Sequence, residues 1–153
     1  MIIALVYTSV TGNTKELADI LHQIFRGEKA EAPVFNVEQF PIPHLTCFDA
    51  VIICTYTWGN GNIPHEMAPL YQAFEEQDVK NIVTGVAGTG DHFYPEFCGA
   101  VDDFRDMLYV HTNLAATLKI ELLPQAADIE RCRKFVAAVM KRLRVTLHET
   151  PGR

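Results

Sequence analysis

Ile2 to Tyr7 is an unbroken apolar run that stops at a polar segment, Thr8 to Thr14. A run with no polar face suits a strand buried on both sides, which is found in parallel sheets coated by helices. The rest of the chain repeats the theme. Leu17, Ala18, Leu21, Ile24 and Phe25 recur at helical spacing, and Gly27 ends that helix. Pro33 to Val37 predicts a short second strand. After the Pro41-Ile42-Pro43 break, Phe48 to Thr55 predicts a third, ending at the polar loop Tyr56 to Asn62. Pro64 fits the first residue of a helix reaching Glu76, with Met67, Leu70, Tyr71 and Phe74 facing inward. Ile82 to Ala87 predicts a fourth strand, followed by a third polar loop, Gly88 to Tyr94. A helix over Pro95 to Val110, a fifth strand within Ala115 to Leu122 and a helix over Ala127 to Leu143 complete the order. The expectation is an α/β fold with a five-stranded parallel sheet. Residues 1–145 form the domain and 146–153, with Pro151 and Gly152, a frayed tail.

A chain of 153 residues, 48% hydrophobic and 21% charged, has material for one core. Its formal charge of −6 argues against a nucleic-acid binder, which needs clustered Lys and Arg, and favours partners with basic faces. No apolar stretch approaches the roughly 20 residues that span a bilayer. MIIALVY carries neither a basic region before it nor a small-residue cleavage site after it, so the expected address is the cytoplasm. Cys47, Cys54, Cys98 and Cys132 form no C-x-x-C pair and have no histidines at ligand spacing, so no structural metal is expected. Cys54 and Cys98 read as buried small hydrophobes.

Ligands of a parallel sheet settle outside the carboxyl ends of its strands, where the three polar loops project. The first loop, Thr8-Ser9-Val10-Thr11-Gly12-Asn13-Thr14, gathers hydroxyls and an amide at a helix start. There, unpaired N–H groups favour a phosphate and Gly12 lets the backbone approach it closely; a plain Thr/Asn-rich helix cap is the alternative. The G-x-x-x-x-G-K-[ST] pattern and the three spaced glycines of a dinucleotide site are both absent. A cradle for one phosphate monoester remains. The second loop, Thr55 to Asn62, sets the only tryptophan, Trp58, between polar residues and glycines. That is a poor place for core packing, though single exposed aromatics are common. The third loop carries Gly88-Thr89-Gly90-Asp91 into His92-Phe93-Tyr94. Two aromatic-bearing loops beside a phosphate cradle outline a site for a planar ring on a phosphorylated stem, which flavin mononucleotide (FMN) fits.

TSVTGNT at residues 8 to 14, TYTWGNG at 55 to 61 and GTGDHFYPEFCGAVD at 88 to 102 together resemble the flavodoxin family, in the family's order and over nearly the whole chain. Only Val110 to Gln125 separates the last two helices, leaving no room for a long insertion, so the resemblance is to short-chain flavodoxins. It implies a doubly wound three-layer sandwich of strand order 2-1-3-4-5, with one non-covalent FMN used as a low-potential one-electron carrier. By the same resemblance Ser9, Thr11, Asn13 and Thr14 bind phosphate, together with the backbone of Val10 to Thr14, Gly12 included. Thr57 and the Tyr56 backbone hold the ribityl chain, Trp58 stacks on the inner ring face and Tyr94 on the outer. The backbone of Thr89, Gly90, Asp91 and Cys98 reads the pyrimidine edge, and Phe97 falls in the same segment. Gly59 matches the residue whose carbonyl turns toward the central-ring nitrogen as that nitrogen gains a proton. Asn60 stands where many relatives carry Asp, and Lys15 where an acid is frequent. Fewer negative charges near the ring imply a milder reductant.

Residues 1 to 100 hold four basic and twelve acidic residues, 4 − 12 = −8, whereas 101 to 153 hold nine and seven, 9 − 7 = +2. All three loops lie in the acidic part. That suits transient docking of a monomer with a flavodoxin reductase and acceptor proteins that carry basic faces, although an ordinary solvated acidic surface has the same composition. Two further functions share the fold. One is an activator of manganese ribonucleotide reductase, which Trp58 and the YPEFCGAVD segment disfavour. The other is an FMN-dependent quinone or flavin reductase, whose substrate pocket over the ring Trp58 and Tyr94 would cover. His22, His44, His65, His92, His111 and His148 are dispersed, and no acid, base or nucleophile constellation is visible.

Overall fold

The computed structural model describes residues 1–93 and 96–148. Its sheet is all-parallel, in the order β2-β1-β3-β4-β5. The strands are β1 (Ile3–Tyr7), β2 (Val34–Asn36), β3 (Ala50–Tyr56), β4 (Val83–Gly90) and β5 (Asn113–Glu121). Helices α1 (Asn13–Gly27), α2 (Ala68–Glu76), α3 (Gly99–His111) and α4 (Asp128–His148) supply the crossovers. Alternation along each strand divides the core into two layers. Ile3, Leu5, Ile52 and Cys54 pack against α1 and α4. Ala4, Val6, Val51 and Ile53 pack against α2 and α3. Strands with apolar groups on both faces gain stability only between two helical layers, which accounts for the continuous runs in the sequence. Among the described residues no helix is long and apolar enough to cross a membrane.

The departures from expectation have local causes. β4 continues through Gly88, Thr89 and Gly90 rather than ending at Ala87. Glycine reads as a turn, yet here it serves a close approach. A Cβ on Gly88 would lie 2.3 Å from Val101 Cγ2, and one on Gly90 would lie 2.8 Å from Cys98 Sγ. α3 begins at Gly99 instead of Pro95, because Cys98 adopts left-handed backbone at φ 52. His65–Met67 forms a 3-10 turn, and α2 proper starts at Ala68, next to Pro69. Pro69 lacks the N–H that would have continued an α-helical ladder. α4 extends to His148, beyond the expected end at Leu143 and into the expected tail. Its inward face, from Cys132 to Leu143, is buried and holds it in place. β5 starts at Asn113 and carries no long insertion, only a one-residue register shift against β4 at Thr84/Gly85.

Candidate cofactor-binding site

The segment after β1 is shaped by its main chain. Gly12 precedes α1 with φ 96 and ψ −11, and a Cβ there would meet nothing within 4 Å. Glycine is therefore favoured by conformation, not by crowding. Its N–H donates to Ser9 Oγ at 3.1 Å and its carbonyl accepts from Glu16 N–H at 3.0 Å. Among the described residues no side chain caps α1. The N–H groups of Asn13, Thr14 and Lys15 consequently have no intrahelical partner and stand at the positive helix end. The Thr14 hydroxyl is buried and shares a 2.8 Å hydrogen bond with Thr89 Oγ1, in which either oxygen can be the donor. Lys15 Nζ lies 2.8 Å from Asp19, along the helix. Its pKa is raised, first by that hydrogen bond. Val10 is exposed.

The segment after β3 is a hairpin. Trp58 and Asn62 exchange two backbone hydrogen bonds of 2.8 Å, closing a Gly59-Asn60-Gly61 tip in which Gly59 has φ 54 and Gly61 φ 98. The tip rests on the start of α3, where a Cβ on Gly99 would lie 2.7 Å from Gly61 Cα. Thr57 Oγ1 accepts from Ala100 N–H at 3.2 Å, which leaves its own proton free to donate. Trp58 is 53% exposed, with its ring centroid 6.4 Å from that of His65. Asn60 is exposed at the tip. Beneath the hairpin, Glu66 Oε2 accepts from Thr8 Oγ1 and from Tyr56 OH, each at 2.9 Å. Partial burial pulls the Glu66 carboxyl upward, but its own backbone N–H, the two hydroxyls and His65 outweigh that and hold it below the usual carboxylate range. Burial, then the bond to Glu66, pushes the Tyr56 phenol up to about 12.

The segment after β4 is fastened to β5. Gly90 carbonyl accepts from Leu122 N–H at 2.7 Å, and Asp91 Oδ1 accepts from Phe93 N–H at 2.9 Å. His92 stacks on Phe97 at 3.7 Å and 18°, with Nε2 3.6 Å from Glu121. Cys98 turns its thiol toward the carbonyls of Gly88 and Ile120, at 3.8 and 3.9 Å. Burial pushes that thiol up to about 11.

A cavity of about 370 Å³ opens among these segments. It is lined by the sequence-predicted Thr11, Asn13, Tyr56, Thr57, Trp58, Gly59, Thr89, Gly90, Asp91 and Cys98. Ser9, Val10, Gly12, Thr14 and Asn60 are not among its lining residues. The Phe97 ring lines a neighbouring hollow with His92 and Lys119 instead. Tyr94 lies outside the described residues. Glu96 and Leu122, which the sequence motifs do not single out, also line the cavity. The available signal for Leu122 was its position just beyond β5, at the same sheet edge as the three polar loops. Among the described residues no Lys or Arg lines the cavity. Main-chain N–H groups and hydroxyls at one end with an aromatic face at the other suit a phosphorylated stem carrying a flat ring, so the donor set fits FMN.

Residues 5–135 match the family model for flavodoxin. Probable flavodoxin 1 of Bacillus subtilis (strain 168) is 35% identical over 133 residues, covering 84% of this chain and 84% of that one. The solved structure of a short-chain flavodoxin associated with a non-canonical PDU bacterial microcompartment superposes with a TM-score of 0.89 at 31% identity, over 94% of this chain and 99% of that one. The sulfite reductase (NADPH) flavoprotein alpha-component of Vibrio vulnificus (strain CMCP6) is 30% identical over 84% of this chain, matching 21% of its own length. Domains of this kind act with reductases and other redox partners. The sheet order, a β5 without a long insertion and these matches agree: the chain belongs to the flavodoxin family, as a short-chain, FMN-binding electron carrier and not a substrate-converting enzyme.

Proposed function

We propose that this flavodoxin holds FMN with its phosphate at the start of α1 and its ring against Trp58, and carries single electrons at low potential between a reductase and acceptor proteins. The observation that carries this reading is a cavity lined from all three segments, with unpaired helix N–H groups beside one end and an indole at the other. FMN supplies the redox chemistry when bound; the chain binds, orients and shields it. The N–H groups of Val10 to Thr14 take the phosphate with the hydroxyls of Ser9 and Thr11 and the Asn13 amide. Thr57 and the Tyr56 main chain take the ribityl hydroxyls. The main chain of Thr89, Gly90, Asp91 and Cys98 takes the polar ring edge, and Tyr94 the outer ring face. Phe97 acts through His92, by holding the third segment in place. Four free cysteines, one of them the exposed Cys47, support a reducing, cytoplasmic setting.

The test is a fluorescence titration of apoprotein with FMN and with riboflavin, which lacks the phosphate. One FMN per chain, bound more tightly than riboflavin, is expected. Apoprotein that takes up neither overturns the reading.

Asp91 and Glu96 line the cavity, and Glu121 stands half-exposed beside His92. Partners with basic faces, met by a monomer, suit that rim. Reduction by a flavodoxin reductase should therefore slow as ionic strength rises, because screening shortens the reach of these charges to about 8 Å at physiological salt. A stopped-flow rate that stays flat from low to high salt removes the steering argument.

A further inference from the structure

The hairpin that carries Trp58 leaves the sheet at Tyr56 and rejoins helical structure at His65, and the Tyr56 hydroxyl closes that gap on Glu66 Oε2, in the first turn, at 2.9 Å. The same oxygen accepts from Thr8 Oγ1 at 2.9 Å. Thr8 is 4% exposed, follows the last residue of β1 and opens the segment assigned to the phosphate. One carboxylate oxygen thus joins the roots of both loops. A carboxylate in the first turn of a helix is favourable by itself, but that role requires neither hydroxyl, since Thr8 and Tyr56 belong to separate segments.

We propose that Glu66 is a positioning residue for the cofactor, holding the phosphate loop and the ring loop at a fixed separation through Thr8 and Tyr56. The proposal rests on the reading that FMN bridges these two loops. A ligand that engages two sites at once binds best when their spacing is set beforehand, because it does not then bear the cost of ordering them. Loosening the clamp should harm FMN, which spans both loops, more than riboflavin, which lacks the phosphate.

Both hydroxyls land on one oxygen, so a glutamine, with a single carbonyl oxygen, can accept both. E66A should weaken FMN binding to the apoprotein about tenfold, equivalent to about 1.4 kcal/mol, and riboflavin binding less than about threefold. E66Q should stay within about threefold of the parent for both ligands. Trp58 is the only tryptophan, so its emission anisotropy in the apoprotein reports on the hairpin without any flavin. It should fall in E66A and Y56F and be retained in E66Q. T8V and Y56F each remove one donor and leave the carboxylate, which keeps the test open if E66A does not fold; each should show part of the selective FMN loss.

Equal losses for FMN and riboflavin, E66Q as impaired as E66A, or FMN affinity in E66A within about twofold of the parent would each overturn the proposal. A parent apoprotein that binds no FMN instead overturns the bridging reading, and the anisotropy series still decides whether the clamp holds the hairpin.

Discussion

The loops after β1 and β3 border the same cavity and are built by opposite means. The first is made by main chain: Gly12 at φ 96, a helix start without a side-chain cap, and a Ser9 hydroxyl that accepts from the loop's own Gly12 N–H. The second is made by contacts across the fold. Its hairpin leans on α3 through Gly61 and Gly99, is pinned at Thr57 by Ala100 N–H, and is rooted on Glu66. A loop built from local main-chain geometry presents dipoles at fixed positions, as a phosphate requires. A loop braced from outside can offer a large aromatic side chain to solvent, 53% exposed at Trp58, without collapsing onto the core.

The contrast predicts different losses for the two ligands. W58A removes the indole face from the second loop, and burial plus stacking make its loss worth about 2–3 kcal/mol, or roughly a hundredfold in affinity. FMN and riboflavin should suffer alike in fluorescence titrations, because both carry the ring. If FMN loses much less than riboflavin, the indole does not contact the ring as assigned. G12V strikes the first loop. Its Cβ would meet nothing, so the expense is conformational, about 1–2 kcal/mol or about tenfold for a β-branched residue at positive φ. That loss should fall on FMN alone and be partly restored in G12N, since asparagine tolerates left-handed backbone. Equal damage to riboflavin would break the comparison.

The same contrast decides what the sequence reveals. The strands are legible because burial on both faces leaves no polar position in Ile3–Tyr7 or Ala50–Cys54. The first loop is legible because its hydroxyls, amide and Gly12 are contiguous. Glu66 is not: its partner Thr8 is 58 residues away, and an acid opening an amphipathic helix looks like ordinary solvated charge. Gly88 and Gly90 mislead for the opposite reason, as strand glycines selected by the approach of Val101 and Cys98 rather than by a turn. Phe97 falls within a segment that resembles the family's, but resemblance in order does not fix where a ring points, and this one points at His92. Lys15 shows how a neighbour alters a charge: the cation is paired with Asp19 at 2.8 Å, so its field at the cavity is weaker than the bare sequence suggests.

The smallest expected effects lie at the hairpin tip, where neighbouring substitutions should separate the two electron steps. Gly59 has φ 54, and among the described residues an added Cβ would meet only Asn62 Nδ2, at 3.9 Å. Replacing it with valine therefore adds strain and little collision, about 1 kcal/mol or more. If the tip peptide must present the Gly59 carbonyl to a ring nitrogen that gains a proton with the first electron, that strain lowers the first-step potential. G59N should lower it less, because asparagine accepts positive φ. Asn60 is exposed one position further on. N60D adds a negative charge there with no demand on backbone conformation, so it should act through space on whichever state carries more negative charge, the fully reduced one. At an exposed site water screens that charge, and the penalty is about 1 kcal/mol, rising to a few kcal/mol only where the surroundings are drier. The second-step potential should fall, more at low salt than at high, while the first moves little. Spectroelectrochemical titration of the parent, G59V, G59N and N60D at two ionic strengths measures both steps. A G59V protein whose potentials match the parent's would mean that the hairpin tip takes no part in the first step. An N60D shift insensitive to salt would mean that residue 60 acts by reshaping the hairpin and not by its charge.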